Sequence, residues 1–252
     1  MLQNKFGSAG NKIIIEEFLE GFELSFFVFF DKDSYLILDY ALDHKRAYDH
    51  DRGPNTGGMG CFTPSSKVTD NLKKNIINQI VKKTFLGLKK RKITYRGILF
   101  IGLMVTKIGP HVIEYNVRFG DPECQTLLRK LKSDLLEIFI AVISDKLSKI
   151  KIKKDKKASL CVILASKGYP GNYKTGKIIK NLKDAKEIPG IEIFHAGTES
   201  QKNKILSSGG RVLSITSIGD TISIARKKAY KALKKINWTS GFFRTDIGKK
   251  NF

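Results

Sequence analysis

Between Val112 and Glu123 the chain reads Val-Ile-Glu-Tyr-Asn-Val-Arg-Phe-Gly-Asp-Pro-Glu, and no other stretch limits the possible folds as much. The apolar lead-in Val112-Ile113 predicts a buried strand. Alternate residues of a strand share a face, so Glu114, Asn116 and Arg118 would project from one side and Ile113, Tyr115 and Val117 from the other. A carboxylate, a neutral oxygen donor and a guanidinium in register suit a magnesium–polyphosphate complex. Hard cations take oxygen ligands and share them with phosphates, and arginine can grip a phosphate with two hydrogen bonds. Gly120-Asp-Pro then breaks the strand before a helical pattern. A solvated face of an antiparallel sheet would give the same alternation, so the neighbouring sequence must decide between the two readings.

The chain has 252 residues, enough for one large or two ordinary domains with a substantial core. Its 41% hydrophobic content, including 16 Phe, is that of a soluble globular protein. The densest apolar run, Phe26-Phe-Val-Phe-Phe30, stops at Asp31, far short of a membrane span. The first ten residues have no apolar signal-peptide core. Three widely separated cysteines without Cys-x-x-Cys spacing predict reduced thiols and a cytoplasmic location. The net charge of +22 invites a nucleic-acid or membrane-surface reading. The lysines are, however, spread along a chain rich in Lys, Ile and Asn, with no nucleic-acid-binding motif beside them. The expectation is therefore no membrane and no nucleic-acid partner, with a field that favours anionic phosphate substrates.

In chain order, residues 12–20 form an apolar run ending in Glu16-Glu-Phe-Leu-Glu-Gly21, read as a strand entering a turn or hinge. Residues 23–30 and 35–41 are β-rich runs around Asp31-Lys-Asp-Ser34, a hairpin signature. A long polar loop follows from Asp43-His-Lys-Arg46 to Gly53-Pro-Asn-Thr-Gly-Gly-Met-Gly60. Its glycines suit close backbone approach to a ligand, but it lacks P-loop spacing. Residues 68–90 carry apolar positions at helical spacing with Thr69 or Asp70 as N-cap. Residues 97–106 predict a strand that turns at Ile108-Gly-Pro110 into the 112–123 stretch, forming a hairpin with Glu114 mid-sheet. Helices are expected at 122–131 and 133–149, then a lysine-rich boundary at 150–157. Beyond it come strands at 158–165, 191–196 and 211–216. An amphipathic helix at 221–236 would bury Ile222, Ala225, Ala229, Ala232 and Leu233. The four histidines, His44, His50, His111 and His195, have no partners at metal-ligand spacing.

Several blocks together carry a family resemblance. They are Ile15-Glu-Glu-Phe-Leu-Glu-Gly21, Asp43-His-Lys-Arg46, Gly53-Pro-Asn-Thr-Gly-Gly-Met-Gly60, the 112–123 stretch, Gly168-Tyr-Pro-Gly171, Phe194-His-Ala-Gly-Thr198, Gly209-Gly-Arg-Val-Leu213 and Asp246-Ile-Gly248. In this order and spacing the chain resembles the phosphoribosylamine–glycine ligases, the glycinamide ribonucleotide synthetases of the ATP-grasp superfamily. The resemblance implies an α+β (α/β) fold, with an ATP-grasp catalytic subdomain built on a mixed or antiparallel sheet and a small carboxy-terminal α+β domain. It implies residues 1–19 as the tail of the ATP-grasp lid, 20–155 as the catalytic subdomain and 156–252 as the carboxy-terminal domain. It also implies a reaction, in which ATP activates the carboxylate of glycine and the amine of 5-phosphoribosylamine displaces phosphate to give glycinamide ribonucleotide.

Site roles follow from the same resemblance. Glu114 and Asn116 would hold Mg2+ (or Mn2+) with the ATP phosphates. Arg118 would stabilise the transferred phosphoryl group, unless it forms an ion pair with Asp121 or Glu123. The backbone of Glu17, Phe18 and Leu19 would read adenine, and Glu23 the ribose. Lys45 and Asp121 would act catalytically, with Asp43, Arg46, Asn55, Thr56, Gly57 and Gly58 around the two small substrates. Gly209-Gly-Arg211 suits either a phosphate contact or a turn into a strand. The family's amino-terminal domain and most of its lid have no counterpart before Met1, so a separate chain supplying that half is expected as a partner. The edges it would cover predict poor solubility for the chain alone. Three departures stand out: Leu42 replaces a usual Gln, His50 a small or polar residue, and Cys61-Phe62 the usual Ala-Tyr.

Overall fold

The computed structural model describes residues 12–249. Its core is one nine-stranded sheet. The strands are β1 (Phe22–Phe30), β2 (Tyr35–Asp43), β5 (Gly60–Thr63), β6 (Gly97–Thr106), β7 (Gly109–Asn116), β8 (Ala158–Ser166), β10 (Ile191–His195), β13 (Arg211–Gly219) and β14 (Gly241–Phe242). Their order is β10-β13-β8-β5-β2-β1-β6-β7, with β14 also on β8. Every strand pair is antiparallel, so the sheet is not mixed.

The five-residue run Phe26–Phe30 shows why β1 is central. Phe26, Val28 and Phe30 enter one apolar cluster while Phe27 and Phe29 enter the other, on opposite faces. A strand buried on both faces loses the polar alternation of a half-solvated one. Each such side chain contributes roughly 1.5–3 kcal/mol of burial. The β1–β2 turn is fixed by Asp31, whose Oδ1 accepts from the amides of Asp33 and Ser34 and from the Ser34 hydroxyl.

Helices α1 (Asp70–Ile76), α2 (Lys82–Lys90), α5 (Leu182–Lys186) and α6 (Ile222–Lys235) flank the first cluster; α3 (Glu123–Leu128) and α4 (Leu135–Ile143) flank the second. Thr69 is the N-cap of α1, accepting from the Leu72 amide, and Asp134 caps α4 through Leu136 and Glu137. Of the expected buried face of α6, Ala225, Ala229, Ala232 and Leu233 are buried, while Ile222 is half-buried at the first turn.

The structure corrects several sequence expectations. Residues 13–20 are not a strand. Ile14, Ile15 and Phe18 are 86–87% exposed, because no described strand pairs with them. The polar stretch after Asp43 is not a loop throughout: β3 (Arg46–Tyr48) and β4 (Arg52–Asn55) form a hairpin, turned by His50 and Asp51 at positive φ. The helical region 68–90 is interrupted by a π-turn at Ile77–Val81. The helix expected over 133–149 ends at Ile143 and gives way to a 3-10 turn. β7 is an exposed edge strand rather than a buried one, so Glu114 is not mid-sheet. In the carboxy-terminal part β9 (Ile178–Ile179), β11 (Thr198–Gln201) and β12 (Lys204–Ser207) make an additional small sheet that the sequence pattern did not suggest. The lysine-rich segment 150–157 does not separate two sheets, since β8 beyond it pairs with β5 before it, from Gly60↔Val162 to Thr63↔Ser159.

Candidate functional site

Two adjoining clefts open where β1, β2, β6 and β7 meet the β3–β4 hairpin. One, about 440 Å³, is bordered by Phe22, Glu23, Asp43, Lys45, Arg46, Asp51 and Asn55. The other, about 230 Å³, is bordered by Glu23, Ser25, Lys45, Asn55, Thr56 and Glu114. Glu23, Lys45 and Asn55 line both, so the two form one polar trough.

Glu114 reaches the trough through an irregularity. The β6–β7 register slips between Gly102 and Leu103, leaving Ile113 as an extra residue and Glu114 opposite Gly102. A side chain at Gly102 would approach the Glu114 Cγ to 3.0 Å, so the glycine leaves room for it. Asn116 lies on the same face, as alternation predicted, and its Nδ2 donates to Glu114 Oε1 at 3.0 Å. That bond orients the amide with its carbonyl oxygen away from Glu114. Turning the Asn116 amide over would bring its oxygen beside the Glu114 carboxylate, and these are hard donors of the kind Mg2+ or Mn2+ takes, so the residue types fit such a cation. Among the described residues no group of three or more His, Cys, Asp and Glu side chains gathers as a self-sufficient metal site. A cation here would complete its shell with phosphate and water oxygens. Glu23, half-buried nearby, has its carboxyl pushed above the ordinary range by burial, with Lys45 opposing and Asp51 and Glu114 adding.

Lys45 stands on a buried ionic cluster. Its Nζ lies 2.7 Å from Asp43 Oδ2, and the Asp43 side chain is almost wholly buried. The His44 amide donates to Asp43 Oδ1 at 2.8 Å. Glu123, 1% exposed at the start of α3, accepts from the Ser25 hydroxyl on β1 at 2.7 Å. Burial, reinforced by Asp43, raises the Glu123 carboxyl to about 7, against Lys45 and the Ser25 bond. Burial alone would lower the Lys45 ammonium, yet Asp43 and then Glu123 outweigh it and hold the group above the usual lysine value. Asp43 is raised by burial against the pull of Lys45. His44 is buried and pushed down to about 4 by burial and by Arg244, so it is neutral near pH 7.

The glycine-rich segment is pinned from the carboxy-terminal part of the chain. Arg211 Nη1 donates to the carbonyls of Gly57, Gly58 and Asp121 at 2.8, 3.2 and 2.6 Å, and Nη2 meets Asp121 Oδ2 at 3.1 Å. The partner of Asp121 is therefore Arg211 rather than Arg118. Arg118 is exposed beyond the end of β7 and donates to the Phe119 carbonyl, with neither Asp121 nor Glu123 as ion partner. The β3–β4 hairpin is anchored by Arg244, which is fully buried. Its Nε and Nη2 grip Asp246 at 2.8 and 2.7 Å, and its Nη1 reaches Asp51 Oδ1 at 2.8 Å and the Arg46 carbonyl at 3.0 Å. Asp246 also accepts from the His50 amide. Burial would raise Asp246, but Arg244 and His50 hold it well below the ordinary carboxylate range.

Of the residues singled out in the sequence, the trough gathers Glu23, Asp43, Lys45, Arg46, Asn55, Thr56 and Glu114, with Asn116 attached through Glu114. Glu17, Phe18 and Leu19 line a separate groove of about 230 Å³ with the β6–β7 turn. Gly57, Gly58 and Asp121 are held together by Arg211, while Arg118 is bonded to the Phe119 carbonyl instead. The sequence reading gave no site role to Ser25, Asp51, Glu123 or Arg244. Glu123 closes the very stretch that drew attention, and Arg244 stands two residues before the Asp246-Ile-Gly block.

Comparison with known proteins agrees with these features. Residues 1–124 match the phosphoribosylglycinamide synthetase ATP-grasp (A) domain, and residues 159–250 match the C domain of the same synthetase. The chain is 45% identical to the chloroplastic phosphoribosylamine–glycine ligase of Arabidopsis thaliana over 98% of its own length and 47% of that relative. It is 43% identical to the phosphoribosylamine–glycine ligase of Vigna unguiculata, covering 96% of this chain and 79% of that one. The chain spans about half the length of most curated relatives it matches. Among solved structures, the phosphoribosylamine–glycine ligase of Thermotoga maritima superposes with a TM-score of 0.78 at 34% identity, over 92% of this chain and 57% of that one. The biotin carboxylase domain of a thermophilic 2-oxoglutarate carboxylase superposes at 0.62 with 14% identity, over 90% of this chain and 49% of that one, a likeness of fold alone. No helix among the described residues is long and apolar enough to cross a membrane.

Proposed function

Because the chain belongs to the phosphoribosylglycinamide synthetase family, with an α+β ATP-grasp fold, we propose that it carries part of the machinery joining glycine to 5-phosphoribosylamine at the expense of ATP. The observation that carries this reading is the polar trough lined by both Glu114 and Lys45, with Asn116 bonded to the Glu114 carboxylate. Glu114 and Asn116 would hold Mg2+ or Mn2+ against the ATP phosphates. Such a cation neutralises charge that builds up on the transferred phosphoryl oxygens.

The chain's own residues do the rest by placement. Lys45, kept cationic by Asp43 and Glu123, would face the anionic oxygens of the glycine carboxylate or of the group transferred to it. Glu23 and Asn55, lining both clefts, would orient the nucleotide ribose and the small substrates, with Asp43, Arg46 and Thr56 beside them. Gly57 and Gly58 present backbone to the substrates while Arg211 and Asp121 hold that backbone in place. Glu17, Phe18 and Leu19 would take adenine in their groove beside the β6–β7 turn. Arg118, exposed beyond β7, would meet the phosphoryl group only from the solvent side of the trough.

The same reading divides the chain into residues 1–19, 20–155 and 156–252 and proposes a cytoplasmic location and a partner polypeptide supplying the rest of the cleft. Positioning dominates phosphoryl-transfer catalysis, so half a cleft should turn over slowly by itself. Mixing the chain with a polypeptide comprising the amino-terminal half of a full-length relative should produce ADP release that depends on both glycine and phosphoribosylamine. No glycine-dependent ADP from that mixture, with both components folded, would refute the proposal.

A further inference from the structure

Two carboxylates approach Lys45 from different elements, and only one of them touches it. Asp43, at the end of β2, makes the direct ion pair at 2.7 Å. Glu123 comes from α3, is 1% exposed, and is fixed by the Ser25 hydroxyl at 2.7 Å. The backbone is cut away to fit both. A side chain at Gly58, which sits at φ +113°, would come within 2.9 Å of Asp43 Oδ1 and 2.7 Å of Pro122 Cδ. One at Gly120 would run into the Glu123 carboxylate. Burying two acids around one ammonium is costly unless the arrangement is used, since each unpaired charge forfeits its hydration.

We propose that Glu123 is a positioning residue for Lys45: with Asp43 it forms a buried carboxylate pair that fixes where the ammonium enters the trough. Lys45 lines both clefts, so a displacement of its head would be felt at the metal-facing and substrate-facing ends together. The proposal rests on the reading that this trough takes anionic substrate groups. The groups facing Glu123 are Asp43 and Lys45 across the cluster, Ser25 on β1 and the Cys61 thiol on β5, with Glu23 near Lys45 and Cys124 adjacent in α3. Both thiols are pushed up by burial and stay neutral across the range of interest. Burial raises Glu123 to about 7, and it raises Asp43 and Glu23 above the ordinary carboxylate range as well. The Glu123 proton is shared electrostatically with Asp43, so the transition belongs to the pair.

The test needs neither substrate nor turnover, which separates its failure from failure of the ligase reading. The chain is pulsed with an amine-acylating ester between pH 5.5 and 9, and mass spectrometry gives the rate at Lys45 relative to exposed Lys90. In the unaltered chain this ratio should fall by about three- to tenfold as pH rises through 7, because ionised Glu123 holds the Lys45 proton more tightly. In Glu123→Gln the ratio should be flat with pH and several-fold higher at pH 8. Ser25→Ala keeps the carboxyl but removes the bond that favours its charge, so the fall should move to higher pH. That second variant still tests the proposal if Glu123→Gln does not fold. A ratio independent of pH in the unaltered chain would overturn the proposal. So would a pH profile unchanged by both substitutions, or equal rises at Lys45 and Lys90 that mark general loosening.

Discussion

The Arg244 side chain has no exposed surface, and its guanidinium bonds to Asp246, Asp51 and the Arg46 carbonyl. Arg244→Met would leave Asp246 buried without its counter-charge. Urea denaturation should show a loss of about 3–5 kcal/mol, the usual result of breaking a buried pair from one side. Glu123 predicts a pH effect of the opposite kind from a salt-bridged acid. Its folded value of about 7 lies above its ordinary 4.5, so the folded chain holds this proton longer than the unfolded one does. The contribution is full below about 4.5 and is lost as pH rises to about 7, at a cost of roughly 3–4 kcal/mol. Denaturation of Glu123→Gln at pH 5 and pH 8 should show that this slope has gone; an unchanged slope would place the titration elsewhere. At this scale the sequence showed Glu114 and Asn116, because alternation along one strand is a local signal. It did not show what Glu123 or Arg244 do, because burial of a charge depends on partners 98 and 193 residues away.

The start of β13 acts on the opposite part of the chain through one side chain. Arg211 joins the carbonyls of Gly57 and Gly58 to Asp121, and its planar fork serves several acceptors at once. A lysine cannot reproduce that geometry. Arg211→Lys should therefore behave nearly as Arg211→Ala, speeding amide exchange across residues 56–58 at least tenfold while leaving exchange in β1 and β6 unchanged. Equal protection in both variants and the parent would show that the glycine segment holds itself. Strong periodicity made β1, β2, β6, β8, α1 and α6 legible beforehand. The β3–β4 hairpin was not, because its stability comes from Arg244 and from Thr245, which donates to Asp49, rather than from apolar alternation. The exposure of β7 was also hidden. Val112 and Ile113 carry a buried-strand signature, yet no described strand lies beyond them.

At the scale of the whole molecule, the nine-stranded sheet takes strands from both sides of the lysine-rich 150–157 segment and carries helices on both faces, while the trough is lined by residues that all precede that segment. Its apolar surface is concentrated. Ile14, Ile15, Phe18, Ile108 and Val117 are exposed around the β7 edge and the segment before β1, and Leu136, Ile140 and Ile143 form a bare stripe on α4. Patches of this kind favour association. Sedimentation should show concentration-dependent self-association that Ile140→Lys with Ile143→Lys reduces without altering the unfolding midpoint; a monodisperse parent chain would contradict this. The proposed function requires that Glu114 and Asn116 of this chain hold a divalent cation with ATP. It is tested most directly by electron paramagnetic resonance of Mn2+ titrated with the chain in the presence of ATP. A bound-metal signal should appear only with ATP and be weakened at least tenfold in affinity by Glu114→Gln and by Asn116→Ala. No ATP-dependent signal from the unaltered chain, or one indifferent to both substitutions, would contradict it.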